Sequence, residues 1–203
     1  MVSARGAASS AEIVTWEFSG KLDSVVGGLQ GTFTTFEVGS LLEGTFSFDS
    51  LTPDTYDHPG TGYYVDAITA ISGSVDGIGF SGPYYDLRDG IANALQVSNH
   101  LSDYDDFYTL YAGLILSGRP FELQLWLRFP PMEILTEALP TQPPQLDAAT
   151  ATRFSLRADG IGDSLRIAGP LSTLQLVPEP TYLGLLFFLA TVMSRRVARS
   201  RLD

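Results

Sequence analysis

Apolar and polar residues alternate along much of the first 176 positions. Ile13-Val-Thr-Trp-Glu-Phe18, Gly31-Thr-Phe-Thr-Thr-Phe-Glu-Val38, Leu42-Glu-Gly-Thr-Phe-Ser-Phe-Asp49 and Phe121-Glu-Leu-Gln-Leu-Trp-Leu-Arg128 keep a period near two and are rich in β-branched and aromatic side chains. That is the pattern of strands with one buried face. Residues 65–73, 91–97, 107–112, 152–157, 164–167 and 171–176 add shorter segments of the same kind. Gly20 and Val26-Gly27-Gly28 read as breaks, and residues 74–79 as a turn. Residues 50–62, with Pro53, Pro59, Gly60 and Gly62, read as a long loop. Residues 130–144 are proline-rich, with one helical turn expected around 132–138.

About ten short strands, with no long helix before residue 181, predict an all-β fold. The expected architecture is an antiparallel β-sandwich of two packed sheets, jelly-roll-like, over residues 13–176. Period two puts Phe46 with Phe48 on one face, and Leu123, Leu125 and Leu127 on another. These five, with Trp16 and Phe33, are the candidates for inward positions.

The pattern changes after Val177. Pro178-Glu179-Pro180 holds the backbone extended and lacks two N–H donors. Residues 181–194 then carry no charge and are apolar all round, which predicts a helix without a polar stripe. At about 1.5 Å per residue it spans about 21 Å, short of a hydrocarbon core of about 30 Å. Arg195, Arg196, Arg199 and Arg201 follow at once. They can snorkel to the interface, and they favour a cytoplasmic C-terminus with residues 1–177 outside. The short span suits a temporary inner-membrane anchor.

This arrangement resembles the PEP-CTERM sorting signal of Gram-negative, biofilm-forming bacteria. The matching parts are Pro178-Glu179-Pro180, the apolar run 182–193 and the basic end at Arg195-Arg196. The resemblance implies a partner, the membrane protease-transpeptidase exosortase, which recognises such a motif and processes the protein near it. The body adds a weaker likeness. Gly44-Thr-Phe-Ser-Phe-Asp-Ser-Leu-Thr-Pro-Asp54 and the following residues 63–71 are similar to a stretch common in proteins of that family. With the tail, the resemblance covers residues 15–180, and it implies a destination and a fold rather than a chemistry.

Composition fits an exported protein. Net charge is −11; without residues 178–203, which hold four arginines, Glu179 and Asp203, 8 basic and 21 acidic residues leave −13. Such a surface repels nucleic acid and anionic lipid. There is no cysteine, so neither disulfides nor thiolate metal sites hold the fold. Residues 1–12 contain no apolar core of a signal peptide. Their small residues from Ala7 to Ala11 read as a signal-peptide remnant or a short disordered N-terminus.

Candidate chemistry is sparse. The only histidines are His58, in a Pro-Gly turn, and His100, and no Gly-x-Ser-x-Gly accompanies them. Acidic clusters occur at Asp54/Asp57, Asp86/Asp89, Asp103/Asp105/Asp106 and Asp159/Asp163. Calcium needs six to eight oxygens. Asp103, Asp105 and Asp106 are the best candidates, yet they lack the glycine and distal glutamate of an EF-hand loop, so a solvated acidic turn is expected instead. No strand carries closely spaced paired carboxylates for glycoside cleavage. Tyr84, Tyr85, Tyr104, Phe107, Tyr108 and Tyr111 offer rings for stacking on sugars, or for ordinary core and rim packing.

The expectation is a non-enzymatic surface or matrix protein without cofactor. It would be sorted by its tail and associated with exopolysaccharide. A carbohydrate- or calcium-binding adhesion module is the alternative, and a secreted glycan hydrolase the third reading.

Overall fold

The computed structural model describes residues 12–28, 36–56, 58–84, 93–99, 104–160 and 163–178. They form twelve strands and, among the described residues, no helix. The strands are β1 (Ile13–Lys21), β2 (Ser24–Gly28), β3 (Leu41–Asp49), β4 (Thr61–Val65), β5 (Ile68–Val75), β6 (Ile78–Gly82), β7 (Ala94–Ser98), β8 (Asp106–Leu116), β9 (Arg119–Phe129), β10 (Ala151–Gly160), β11 (Asp163–Gly169) and β12 (Leu171–Leu176). All pair antiparallel in one hydrogen-bonded sheet, ordered β12-β1-β3-β5-β6-β8-β9-β10-β11-β2. The sheet forks at β8. The N-terminal half of β8 pairs with β7, which carries β4, while its C-terminal end meets β6 at Phe80 and Ser81.

The sheet curls because its two ends are one ribbon. β1 runs into β2 through Leu22 and Asp23, and β11 into β12 through Pro170. Trp16 pairs with Leu176, Phe18 with Leu174, Ser24 with Ala168 and Gly28 with Ser164, a single register broken only by a bulge at Ser19/Gly20. One half of this bent ribbon joins β3 through β1; the other joins β10 through β11. The Thr152 hydroxyl donates to the Leu171 carbonyl at 3.2 Å across the remaining gap. At the bend the backbones nearly touch. A methyl group on Gly169 would overlap the Lys21 carbonyl oxygen, and one on Gly20 would lie 2.6 Å from the Phe154 ring.

Curling brings the two inner faces onto one core. β1 and β3 supply Trp16, Phe18, Phe46 and Phe48, all buried, with Trp16 edge-on to Phe46 and Phe48 at 5.5 and 5.3 Å between centroids. β8 to β11 supply Leu110, Phe121, Leu123, Leu125, Leu127, Phe154, Leu156 and Ile167. The expected inward set is thus buried, except that Phe33 lies outside the described residues.

Local chemistry explains the turns. Asp76-Gly77 and Ser117-Gly118 have φ of 52°, 77°, 51° and 75°, the paired positive values of tight hairpin turns. They join β5 to β6 and β8 to β9. Four expectations change. Residues 24–28 are strand β2 rather than a break, because β11 lies beside them. Residues 36–40 are a loop, while 31–35 lie outside the described residues. The expected 65–73 strand is broken at Asp66 (φ 60°), where β4 ends and β5 begins. Residues 132–138 form no helical turn: Met132 takes a positive φ of 66°, and the Ile134 amide donates to the buried Asp106 carboxylate instead.

The bend supplies a test. Gly169→Ala should cost about 3 kcal/mol in urea denaturation, the upper end for overpacking, because the obstacle is backbone and cannot move aside. Gly79→Ala, where an added methyl meets only Gly73 O at 3.9 Å, should cost less than about 1 kcal/mol. Equal losses would show that the close approach at the bend is not constraining.

Candidate functional site

Because β8 to β11 turn their leucines and most of their phenylalanines inward, their alternate residues form an outer face. It carries Phe107 and Tyr111 from β8, Glu122, Gln124, Trp126 and Arg128 from β9, Arg153, Ser155 and Arg157 from β10, and Arg166 from β11. Phe107 and Trp126 are half-buried and stacked, with centroids 5.5 Å apart and planes at 25°. The Tyr111 hydroxyl hydrogen-bonds to Gln124 and Thr109, while burial pushes its pKa up, helped by the nearby Tyr63 and Glu122.

Four of the six basic residues among the described ones lie on this face: Arg128, Arg153, Arg157 and Arg166. Arg128 is ion-paired with Asp105. Arg153 grips both oxygens of Asp23 at 3.1 and 3.2 Å. Arg157 and Arg166 are directly opposite each other on adjacent strands. Arg166 has no ion-pair partner among the described residues. A shallow groove of about 210 Å³ crosses the face, lined by Gln124, Trp126, Arg153, Phe154, Ser155 and Arg166. It has no carboxylate in its lining.

The outer face of the other half is chemically opposite. Glu17, Ser19, Glu43, Thr45, Ser72, Ser74, Thr173 and Gln175 line a broad, open concavity of about 690 Å³. Its hydroxyls pair with one another across strands, as in Ser19–Thr173 at 2.8 Å, and its charges are acidic. A third hollow lies by the 54–60 loop. There Tyr56 stacks on the exposed His58 at 5.6 Å. Its acids serve the backbone: Asp54 accepts from the Tyr56 and Tyr63 amides at 2.9 Å, and Glu137 accepts from the Gly60 amide at 2.9 Å.

The residues singled out in the sequence divide accordingly. Asp105 holds Arg128. Asp106 is buried and accepts the Ile134 amide at 2.8 Å, tying the 130–139 segment to β8. Asp103 lies outside the described residues, and among those described no group of three acidic or histidine side chains could hold a metal. Tyr108 turns inward, edge-on to Phe129 at 5.8 Å. Burial, and then the Asp106 charge, pushes its pKa up to about 12. Tyr104 is exposed beside β8, and Tyr85, Asp57, Asp86, Asp89 and His100 lie outside the described residues. Asp159 pairs with Ser164, and Asp163 with Gly160, at the paired ends of β10 and β11. Pro178 is exposed, while Glu179, Pro180, Arg195, Arg196, Arg199 and Arg201 lie outside the described residues. No helix among the described residues is long and apolar enough to cross a membrane. Trp126 and the four arginines were not singled out from the sequence.

No family model matches the chain, and neither a curated protein nor a solved structure matches it.

The two aspartates should separate by mutation. Asp106→Ala strands a buried amide and should cost about 1–3 kcal/mol. Asp105→Ala breaks only an exposed pair and should cost less than about 1 kcal/mol. Millimolar calcium should leave the melting temperature unchanged, since both carboxylates are engaged; a rise would reveal a site.

Tyr108 makes stability fall at high pH. Its folded pKa lies above the usual 10.0, so its contribution is complete below pH 10 and is lost as pH rises toward 12. Tyr108→Phe should flatten that decline in denaturation measured from pH 9 to 12.

Proposed function

We propose that this is an exported, non-enzymatic surface or matrix protein, delivered by a PEP-CTERM-type signal in residues 177–203 and associated with extracellular polysaccharide. Residues 181–194 are read as the transient inner-membrane helix, and exosortase as the processing partner. The two facing halves of the curled sheet are read as the layers of a jelly-roll-like sandwich. One observation carries the sorting reading. Among the described residues β12 is an edge strand whose one ladder partner is β1, and the chain leaves it at Val177, whose amide donates to Thr15 O at 2.9 Å. Pro178 is exposed immediately afterwards. A membrane protease needs such access to a motif lying directly beyond the domain. The aromatic and arginine-bearing outer face favours the second reading, a carbohydrate-binding module, and the two are compatible.

Mass spectrometry of the native protein is the test. In cells with active exosortase the mature C-terminus should lie near residues 178–180. Glu179→Ala should leave full-length chain in the inner membrane with the melting temperature of the β-domain unchanged. A mature C-terminus at Asp203 would overturn the sorting reading in favour of a plain tail anchor.

A further inference from the structure

We propose that an apolar slot inside the curled sheet binds a slim, neutral alkyl compound carrying one hydrogen-bond acceptor, as in a ketone or an ester. The slot lies where the two inner faces meet. Trp16 of β1 and Phe46 of β3 line it from one half of the sheet, and Leu125 and Leu127 of β9 from the other. About 30 Å³ of it is unfilled. Pro140 and Leu174 line it as well, and both are only half-buried, so on their side it is open to solvent.

The first reason is a donor without an acceptor. Trp16 is 3% exposed, and its buried indole N–H has no hydrogen-bond partner among the described residues. A buried tryptophan usually finds one, and an unmet buried donor is costly. The Phe46 and Phe48 rings beside it are poor substitutes for an oxygen. A mostly apolar pocket with one placed polar group is the common form of a small-molecule site.

The second reason is what the slot refuses. A water needs two or more polar partners, and the lining offers almost no polar surface. The Thr109 hydroxyl, on the same lining, is engaged by Tyr111 instead. No cation among the described residues lines the slot, so a carboxylate would be buried unpaired at high cost. A carbonyl oxygen on an apolar chain meets the N–H and leaves no donor over. The third reason is access. The slot ends beside β12, whose one ladder partner among the described residues is β1, and the Thr152–Leu171 bond bridges the gap to β10. An unbranched chain can enter there end-on. Nothing in this inference depends on the tail or its processing.

The experiment uses the full chain held in digitonin, whose rigid fused rings are too bulky for the slot. Trp126→Phe leaves Trp16 as the sole indole. In that variant 2-hexanone should quench Trp16 fluorescence saturably, and in the parent it should raise the melting temperature by mass action. Its branched isomer 3,3-dimethyl-2-butanone, with the same oxygen, should bind at least about tenfold more weakly, because the walls are close-packed. Hexanoate should be weaker by a similar factor, because its charge would be buried. The olefin 2-methyl-1-hexene has the shape of 2-hexanone without the oxygen, and should bind about fivefold more weakly, the worth of one hydrogen bond. Leu174→Phe narrows the open end and should weaken 2-hexanone about tenfold. Leu176→Phe, on the same strand but outside the lining, should leave binding unchanged. Quenching that never saturates, equal binding of any of the three analogues, or an affinity unmoved by Leu174→Phe would overturn the proposal.

Discussion

Everything in this domain depends on two backbones passing within contact distance at the bend of the terminal ribbon. Gly20 lies against Pro170 and Phe154, and Gly169 against Lys21 and the same ring. Because neither residue has a side chain, β1–β2 and β11–β12 can turn the corner together and remain paired on both sides of it, with a bulge at Ser19/Gly20. The ribbon then belongs to both ends of the sheet. A flat antiparallel sheet of this length would leave its apolar face to water. Here the corner folds that face onto itself, and Trp16, Phe46 and Phe48 meet Leu125 and Leu127 in one core.

The strands were legible where one face is buried and the other wet. Phe46 with Phe48, and Leu123 with Leu125 and Leu127, follow the period and are all buried. The corner was not legible, since two glycines 149 positions apart carry no mark that they will meet. Strand β2 was hidden for a related reason. Val26-Gly27-Gly28 has the composition of a turn, and only the neighbouring β11 makes it a strand. At residues 132–138 local preference lost to a tertiary contact, the buried carboxylate of Asp106 taking the Ile134 amide.

The candidate site was still less visible. Arg128, Arg153, Arg157 and Arg166 each stand at an ordinary wet position of a separate or alternating strand segment, and singly each looks like a solvated charge. Their meaning comes from register, which aligns β9, β10 and β11 so that all four share one face. The acidic clusters were plain in the sequence, yet two of their members, Asp54 and Asp106, turned out to serve the fold. Asp54, Asp106 and Glu137 all accept backbone amides of loops. Positive charge is scarce in this chain and gathered; negative charge is abundant and spread, partly as loop fastenings.

The position of β12 has a mechanical consequence. Val177 is bonded to Thr15, so the two ends of the domain leave it side by side. Tension applied through the C-terminal end would load the Val177–Thr15 bond first and the Trp16–Leu176 rung next, on a strand with one ladder partner among the described residues. Pulled away from β1, such a strand gives way rung by rung rather than all at once. The unzipping would run as far as Pro170 and Gly169, where the packed corner blocks it. A domain held in this way has a built-in fuse: one short strand that yields under drag and can re-form, while the rest of the sheet keeps its shape.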